Sequence, residues 1–184
     1  MPIINLSELT QLKSQSEGNL FNPNQVNISV RLQQQLQLII KQKRLGLPVE
    51  PLLDANPLLA NWINQLENIF PNLFQPRKKL FLDVPLQAKL KHDNQEAVWI
   101  QAKVNVGIAK GKICLFDLSV REPIITWQDR VKLWVTQQYF RIHTHQIKMI
   151  IFVLHPNKAI QKIIINWNAK KHEQADSCRL LKFN

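Results

Sequence analysis

Hydrophobic positions along this chain keep one period up to about residue 76 and another after Lys79. Over Val30–Leu45, Leu32, Leu36, Ile39, Ile40 and Lys43 share a face at helical spacing, while Gln and Lys fill the other. Gly46 and Pro48 stop that helix. A second helix is predicted over Pro57–Phe70, with Pro57 in its first turn and Leu58, Leu59, Trp62, Ile63 and Leu66 on one side. Pro71 and Pro76 close the helical part. From Lys79 the pattern turns to strands: Leu80–Ala88, Ala97–Val106 and Lys112–Val120, the last two joined by a turn around Ala109–Gly111. Val98, Ile100, Ala102 and Val104 alternate with Trp99, Gln101 and Lys103, which gives one buried face. Ile113–Phe116 is apolar throughout, as a strand covered on both faces should be. A helix over Thr126–Gln138, capped by Thr126, buries Trp127, Val131, Trp134 and Val135. Strands Ile147–Leu154 and Ala159–Trp167 and a short helix around Lys170–Leu181 complete the pattern.

The first thirty residues are rich in Asn, Gln and Ser and carry little periodicity. Residues 1–28 are therefore expected to be a loosely packed arm, and 29–184 a single α/β domain with a mixed sheet. A chain of 184 residues is long enough for one substantial core, and 45% hydrophobic with 20% charged residues suits a folded domain rather than a disordered one. Met149–Leu154 is the longest strongly apolar stretch, far short of the roughly 20 residues that span a bilayer. Met1–Thr10 lacks the basic start and apolar centre of a signal peptide. The expectation is a cytoplasmic protein that does not engage membranes. Cys114 and Cys178 lie too far apart for a local metal motif, and Cys114 reads as a small core residue in a reducing compartment.

Charge sharpens the division of the chain. Of 24 basic and 13 acidic side chains, residues 1–76 hold five of each; the remaining nineteen and eight account for the whole +11. A neutral half beside a strongly basic one points to a polyanion, most simply nucleic acid; a solubilising surface or anionic lipid are the other readings. Arg77, Lys78, Lys79, Lys89, Lys91, Lys103, Lys110, Lys112 and Arg130 are the candidate phosphate contacts, with Lys103, Lys110 and Lys112 flanking one hairpin. Trp62, Trp127 and Trp134 occupy core positions, whereas Trp99 faces away from the apolar side and is free to stack on a base. His143 and His145 form a His-x-His pair without a third ligand at useful spacing, so a polar loop is the better reading than zinc.

Asp117 is the only acidic residue in the apolar run KICLFDLSV. A lone carboxylate there is either a solvated strand-end cap or part of a site. Metal-dependent phosphodiester hydrolysis needs carboxylates at a strand end to hold Mg²⁺ or Mn²⁺, and usually a lysine for the attacking water or developing charge. Asp83 and Glu96 are further carboxylates that spacing alone does not place.

Four segments carry a resemblance: Lys41–Leu53 (KQKRLGLPVEPLL), Ile113–Val120, Trp127–Leu133 (WQDRVKL) and His172–Gln174. In their order, from about Leu32 to Leu181, the chain resembles the RecB-type branch of the PD-(D/E)XK nuclease superfamily, in particular its short uncharacterised members. A Cys-containing opening common in such relatives is absent from residues 1–28. The resemblance implies a restriction-endonuclease-like core and a Mg²⁺- or Mn²⁺-dependent site that is half missing. The helix histidine falls at Gln37, and the acidic residue of the first hairpin strand falls at Asn105. Asp117 matches the aspartate of Asp-x-Lys, with Ser119 in place of the lysine. Gln128 matches the glutamine of the Gln-x-x-x-Tyr helix motif, with Lys132 in place of the tyrosine. Exchanging one ligand carboxylate for an amide removes a full charge beside the ion, and losing the lysine removes a second electrostatic contribution. Lys132, one turn after Gln128, is either a replacement lysine or a surface lysine on an amphipathic helix.

The leading expectation is a catalytically impaired nuclease-fold protein that binds nucleic acid, DNA before RNA. Its rivals are an active nuclease with a rebuilt site of Asp117, Gln128 and Lys132, and a protein-interaction subunit.

Overall fold

The computed structural model describes residues 3–16, 23–76, 79–90, 98–120 and 124–176 and, outside 12–16, 23–29 and 174–176, their side chains. Strand β1 (Ile3–Asn5) and helix α1 (Leu6–Ser16) come first, then α2 (Pro23–Arg44), α3 (Glu50–Asp54) and α4 (Pro57–Ile69). Strands β2 (Leu80–Leu90), β3 (Val98–Ala109) and β4 (Lys112–Ser119) follow. Helix α5 (Trp127–Phe140), strands β5 (Ile147–Val153) and β6 (Gln161–Asn166), and helix α6 (Ala169–Asp176) complete the described order. The expected architecture is shown: an α/β fold with a mixed six-stranded sheet flanked by helices. Asn56 caps α4 by accepting from the Leu59 amide at 3.3 Å. The predicted Thr126 cap holds α5, Asp129 answering it by accepting from the Thr126 amide at 2.8 Å. Among the described residues no helix is long and apolar enough to cross a membrane.

Alternation along the strands divides the core in two. Ile113 and Leu115 of β4 join Ile100, Ala102, Val104 and Val106 of β3 in one cluster, under Val131, Trp134 and Val135 of α5. Phe116 and Leu118 point the other way, against Leu36, Ile39 and Ile40 of α2 and Trp62, Ile63 and Leu66 of α4. β4 is thus covered on both faces, as its unbroken apolar run predicted.

The N-terminal residues correct the expectation of a loose arm. Ile3–Asn5 pair in parallel with Trp99–Gln101 of β3, and Leu9 of α1 is buried in the α5-side core. Three strand residues and one buried leucine leave no periodic trace in a polar sequence; only the waiting edge of β3 gives the strand a partner. Helix α2 likewise begins at Pro23 rather than at Val30. At the other end, the predicted last helix is seen as Ala169–Asp176. Arg77, Lys78, Lys91, Glu96 and Cys178 lie outside the described residues.

Sheet connectivity makes a fork. β2 lies antiparallel along one edge of β3, from Leu80↔Gly107 to Leu90↔Val98. The other edge of β3 is shared: β4 pairs with it only from Ala109↔Lys112 to Asn105↔Phe116, and β1 takes Trp99–Gln101. Beyond Phe116, β4 runs on beside β5 alone. Where β3 and β4 part, the sheet opens, and side chains from both faces reach the same gap.

Candidate functional site

A cleft of about 250 Å³ occupies this fork. Its floor is apolar, made by Val104, Leu115, Phe116 and Met149. Asp117 and Lys103 line it from the two diverging strands, and Asn105 sits at the last β3–β4 pair. Lys132 enters from α5; Gln33 and Gln37, one turn apart on α2, enter from the opposite face. Asp83 completes the lining from β2.

Asp83 reaches the cleft because β2 is bulged. The register slips by one residue between Phe81 and Val84, and Asp83 takes the left-handed conformation at φ 53°. Its freed backbone amide donates to Oδ1 of Asn105 at 3.0 Å. Asn105 is nearly buried, so this bond satisfies a polar oxygen that would otherwise be costly. The Asp83 carboxylate is ion-paired with Lys41 of α2. Two features of LFLDVPL mark the bulge in retrospect: a carboxylate within an apolar strand, and Pro85, which a central strand would exclude.

Lys132 Nζ donates to Oδ2 of Asp117 at 2.7 Å, with 20% and 14% of the two side chains exposed. Asp117 is thus ion-paired and largely buried rather than a solvated strand-end cap, and Lys132 reaches inward from α5 rather than out to solvent. Gln33 Nε2 donates to the Leu118 carbonyl at 2.6 Å, on the stretch of β4 that β3 no longer covers. Gln37 and Lys103 make no side-chain hydrogen bond or ion pair among the described residues.

Of the six positions that the resemblance assigned, four therefore converge, Gln37, Asn105, Asp117 and Lys132, and the candidates Asp83 and Lys103 line the same cleft. Gln128 does not join them. Its amide donates at 3.0 Å to the Thr10 hydroxyl of α1, the helix that the polar N-terminus concealed. Ser119 lies past the cleft, buried, its carbonyl accepting from the Leu154 amide at 2.8 Å. Lys103 lines the cleft, whereas Lys79, Lys110 and Lys112 gather at the β3–β4 hairpin end and Arg130 is exposed on α5. His143 and His145 sit in a 3₁₀ turn, exposed, with rings stacked 5.6 Å apart. Trp62, Trp134 and Trp167 are buried; Trp99 is half-buried beside β1. Cys114 is half-buried too, and burial pushes its thiol above the usual range against the pull of Lys148 and Lys162. It is a neutral thiol at pH 7 rather than a nucleophile.

A Mg²⁺ or Mn²⁺ ion, which the nuclease resemblance implies, would draw on Asp117 and Asp83, each of which pairs one carboxylate oxygen with an ammonium, Lys132 and Lys41 respectively, and on Asn105, whose Oδ1 accepts a backbone amide. Hard dications are held by carboxylate oxygens, and two ammonium groups beside these would oppose the ion unless the lysines swing away. Among the described residues no group of three or more His, Cys, Asp or Glu is placed to hold a metal.

Removing one member of the Asp117–Lys132 pair is expected to cost stability. Lys132→Ala leaves a largely buried carboxylate without its counter-charge and should destabilise by about 1–3 kcal/mol in urea unfolding, partial exposure keeping it below a fully buried pair. In a double-mutant cycle with Asp117→Asn, the two losses should fall well short of adding. Additive losses would show that the contact contributes nothing.

The fold and cleft define an α/β protein with a polar, charge-compensated pocket at a sheet fork. No protein-family profile matches the chain, and no curated protein does. Among solved structures it is similar to one titled "Crystal structure of SSO0001", with a TM-score of 0.43, 13% identity, and coverage of 99% of this chain and 77% of that one.

Proposed function

We propose that this chain is a nucleic-acid-binding protein, DNA before RNA, built on a nuclease-like fold whose cleft does not hydrolyse its ligand. The observation that carries the binding half is the hairpin end of the sheet. The Lys79 carbonyl accepts from the Ile108 amide at 2.9 Å; Lys110 is the first residue of the turn just beyond, and Lys112 opens β4 after it. All three are exposed, and none makes an ion pair among the described residues. Lys103 adds a fourth cation where the fork opens. The hydrolysis half rests on the positions of the resembled site that this chain replaces, Asn105 and Ser119 among them, together with the pairing of each cleft carboxylate with a lysine.

Lys110 gives the reading a sharp test. The two-residue turn places Lys110 at φ 47° and Gly111 at φ 71°, both left-handed, as the twist of a tight hairpin requires. Asn or Gly suits the first of these positions far better than lysine does. A lysine kept there at a conformational cost is what a phosphate contact would explain. Lys110→Asn is expected to stabilise the fold by up to about 1 kcal/mol and at the same time weaken DNA binding. Equal or tighter binding by the variant would remove Lys110 from the interface.

In a salt titration with duplex DNA, log affinity should fall linearly with log salt at a slope of about −3 to −4, and Lys110→Asn should reduce the slope by about 1. Absence of binding at low salt, or binding indifferent to salt, defeats the proposal. Linear and single-stranded DNA incubated with the protein and Mg²⁺ or Mn²⁺ should stay intact. Cleavage abolished by Asp117→Ala would establish the rival instead, an active nuclease using Lys132 as its lysine.

A further inference from the structure

Beyond the fork, the sheet presents a second surface. In β1, β2 and β3, Ile4, Leu86, Ala88, Ile100 and Ala102 turn to the α5-side core, so the residues alternating with them turn to the opposite face. There Ile3, Trp99 and Lys89 lie in one cross-strand row, Asn5, Gln101 and Gln87 in the next, and Lys103 beside Pro85 in a third. Helices α2 and α4 pack elsewhere on that face, against Leu80, Phe116, Leu118 and Phe152, and no residue of the three rows belongs to their cluster. Of the five tryptophans, Trp99 alone belongs to neither core cluster. Its indole makes no hydrogen bond or ring contact among the described residues. Ile3 at its side is 50% exposed, and Lys89 on the other side is exposed too.

Charge selects the occupant. Lys89 and Lys103 are exposed, and neither has an ion-pair partner among the described residues. No carboxylate stands in the three rows; Glu8 bounds them at the β1 edge, where it accepts from the Asn5 amide at 2.8 Å. Gln87 Nε2 donates to Gln101 Oε1 at 2.7 Å, which leaves the Gln87 oxygen and the Gln101 nitrogen without a partner among the described residues. Two free cations, a tryptophan outside the core and unspent amide groups complement a polyanion that carries rings. We propose that this open face binds an unpaired strand of nucleic acid, a base stacking on Trp99 and phosphates meeting Lys89 and Lys103; this rests on the nucleic-acid reading above and adds the form of strand. A base offers its ring face only when unstacked, whereas a duplex offers phosphates and groove edges. The hairpin-end lysines meet phosphates of either form; Trp99 discriminates. Trp99 and Lys103 are four residues apart on β3, about 13 Å along the strand, so the two contacts fall on successive nucleotides. Lys103 also lines the fork cleft, so a strand laid along β3 runs to the cleft's mouth.

The test measures binding of an oligothymidine strand, an abasic strand of the same length and charge, and a duplex, by fluorescence anisotropy over a range of salt. The wild-type protein is expected to bind oligothymidine about tenfold more tightly than the abasic strand. That ratio should hold as salt rises, because both strands carry the same phosphates. Trp99→Leu, which keeps bulk without the ring, should bring the ratio close to one and leave duplex affinity unchanged. Trp99→Phe should restore most of the ratio. Lys89→Gln should weaken both single strands, keep their ratio and lower their salt slope by about 0.7. Trp99 lies outside both core clusters, so Trp99→Leu should unfold near the wild-type midpoint; exposed Lys89 provides the test if it does not. A Trp99→Leu protein that keeps the tenfold ratio, or a Lys89→Gln protein with the wild-type salt slope, overturns the single-strand face while leaving the nucleic-acid reading standing. Binding of no nucleic acid at low salt overturns both. A wild-type dimer in sedimentation that Trp99→Leu splits, with oligothymidine affinity unchanged, makes the face an interface between copies and overturns it as a strand site.

Discussion

Trp62→Ala is expected to lower the unfolding free energy by about 3–5 kcal/mol, the range for deleting a buried aromatic. Trp62 is fully buried at the centre of α4, in the cluster that joins α2 and α4 to Phe116 and Phe152 of the sheet. Its indole Nε1 also donates to the His155 carbonyl at 3.0 Å, tying α4 to the loop after β5. Alanine removes both the ring's apolar contacts and that tie, and a helix buried on one face cannot collapse far enough to refill the space. For a chain of this length each kcal/mol moves the melting temperature by roughly 2–4 °C, so a drop of about 10 °C should appear in a thermal scan. Trp62→Phe should lose less, since most of the ring volume stays. A loss below about 1 kcal/mol for the alanine variant would mean that α4 does not pack on the sheet as described.

Leu9→Ala is expected to cost about 2–4 kcal/mol, although residues 1–28 read from the sequence as a loose arm. Leu9 is 1% exposed and belongs to the same core cluster as Trp134 and Ile100. Ile3, on the adjoining strand, is half exposed, so Ile3→Ala should change stability much less and serves as the control. The consequence extends beyond stability. Helix α1 holds the Gln128 amide through Thr10, so loosening α1 should also speed hydrogen exchange at the start of α5. If Leu9→Ala unfolds at the wild-type midpoint, the N-terminal segment is the arm that its composition suggested.

Both substitutions mark where sequence reasoning reached and where it stopped. Trp62 was legible because Leu59, Trp62, Ile63 and Leu66 repeat at helical spacing over about two turns, a signal that survives without knowing the partner surface. Leu9 was not, since its burial depends on an edge of β3 formed by residues some ninety positions away. The candidate site divides in the same way. Asp117 stood out as a carboxylate in an apolar run, and the resemblance aligned Gln37, Asn105 and Lys132 with it; all four line one cleft. The same alignment placed Gln128 beside Lys132, and helical spacing alone had no means of seeing Thr10 of α1 take its amide.

By itself, the sequence determined the strand and helix periods, the two-faced burial of β4, the caps and turns, and the segregation of positive charge into its second part. These depend on neighbours within a few residues, or on composition. Tertiary structure decided the rest: that β3 divides one edge between β1 and β4, that a one-residue slip in β2 aims Asp83 at Asn105, and that lysines from helices on opposite faces close both carboxylates. Each of those turns on which strands pair and where their pairing ends, and hydrogen bonds between distant backbone segments leave no mark in local sequence pattern.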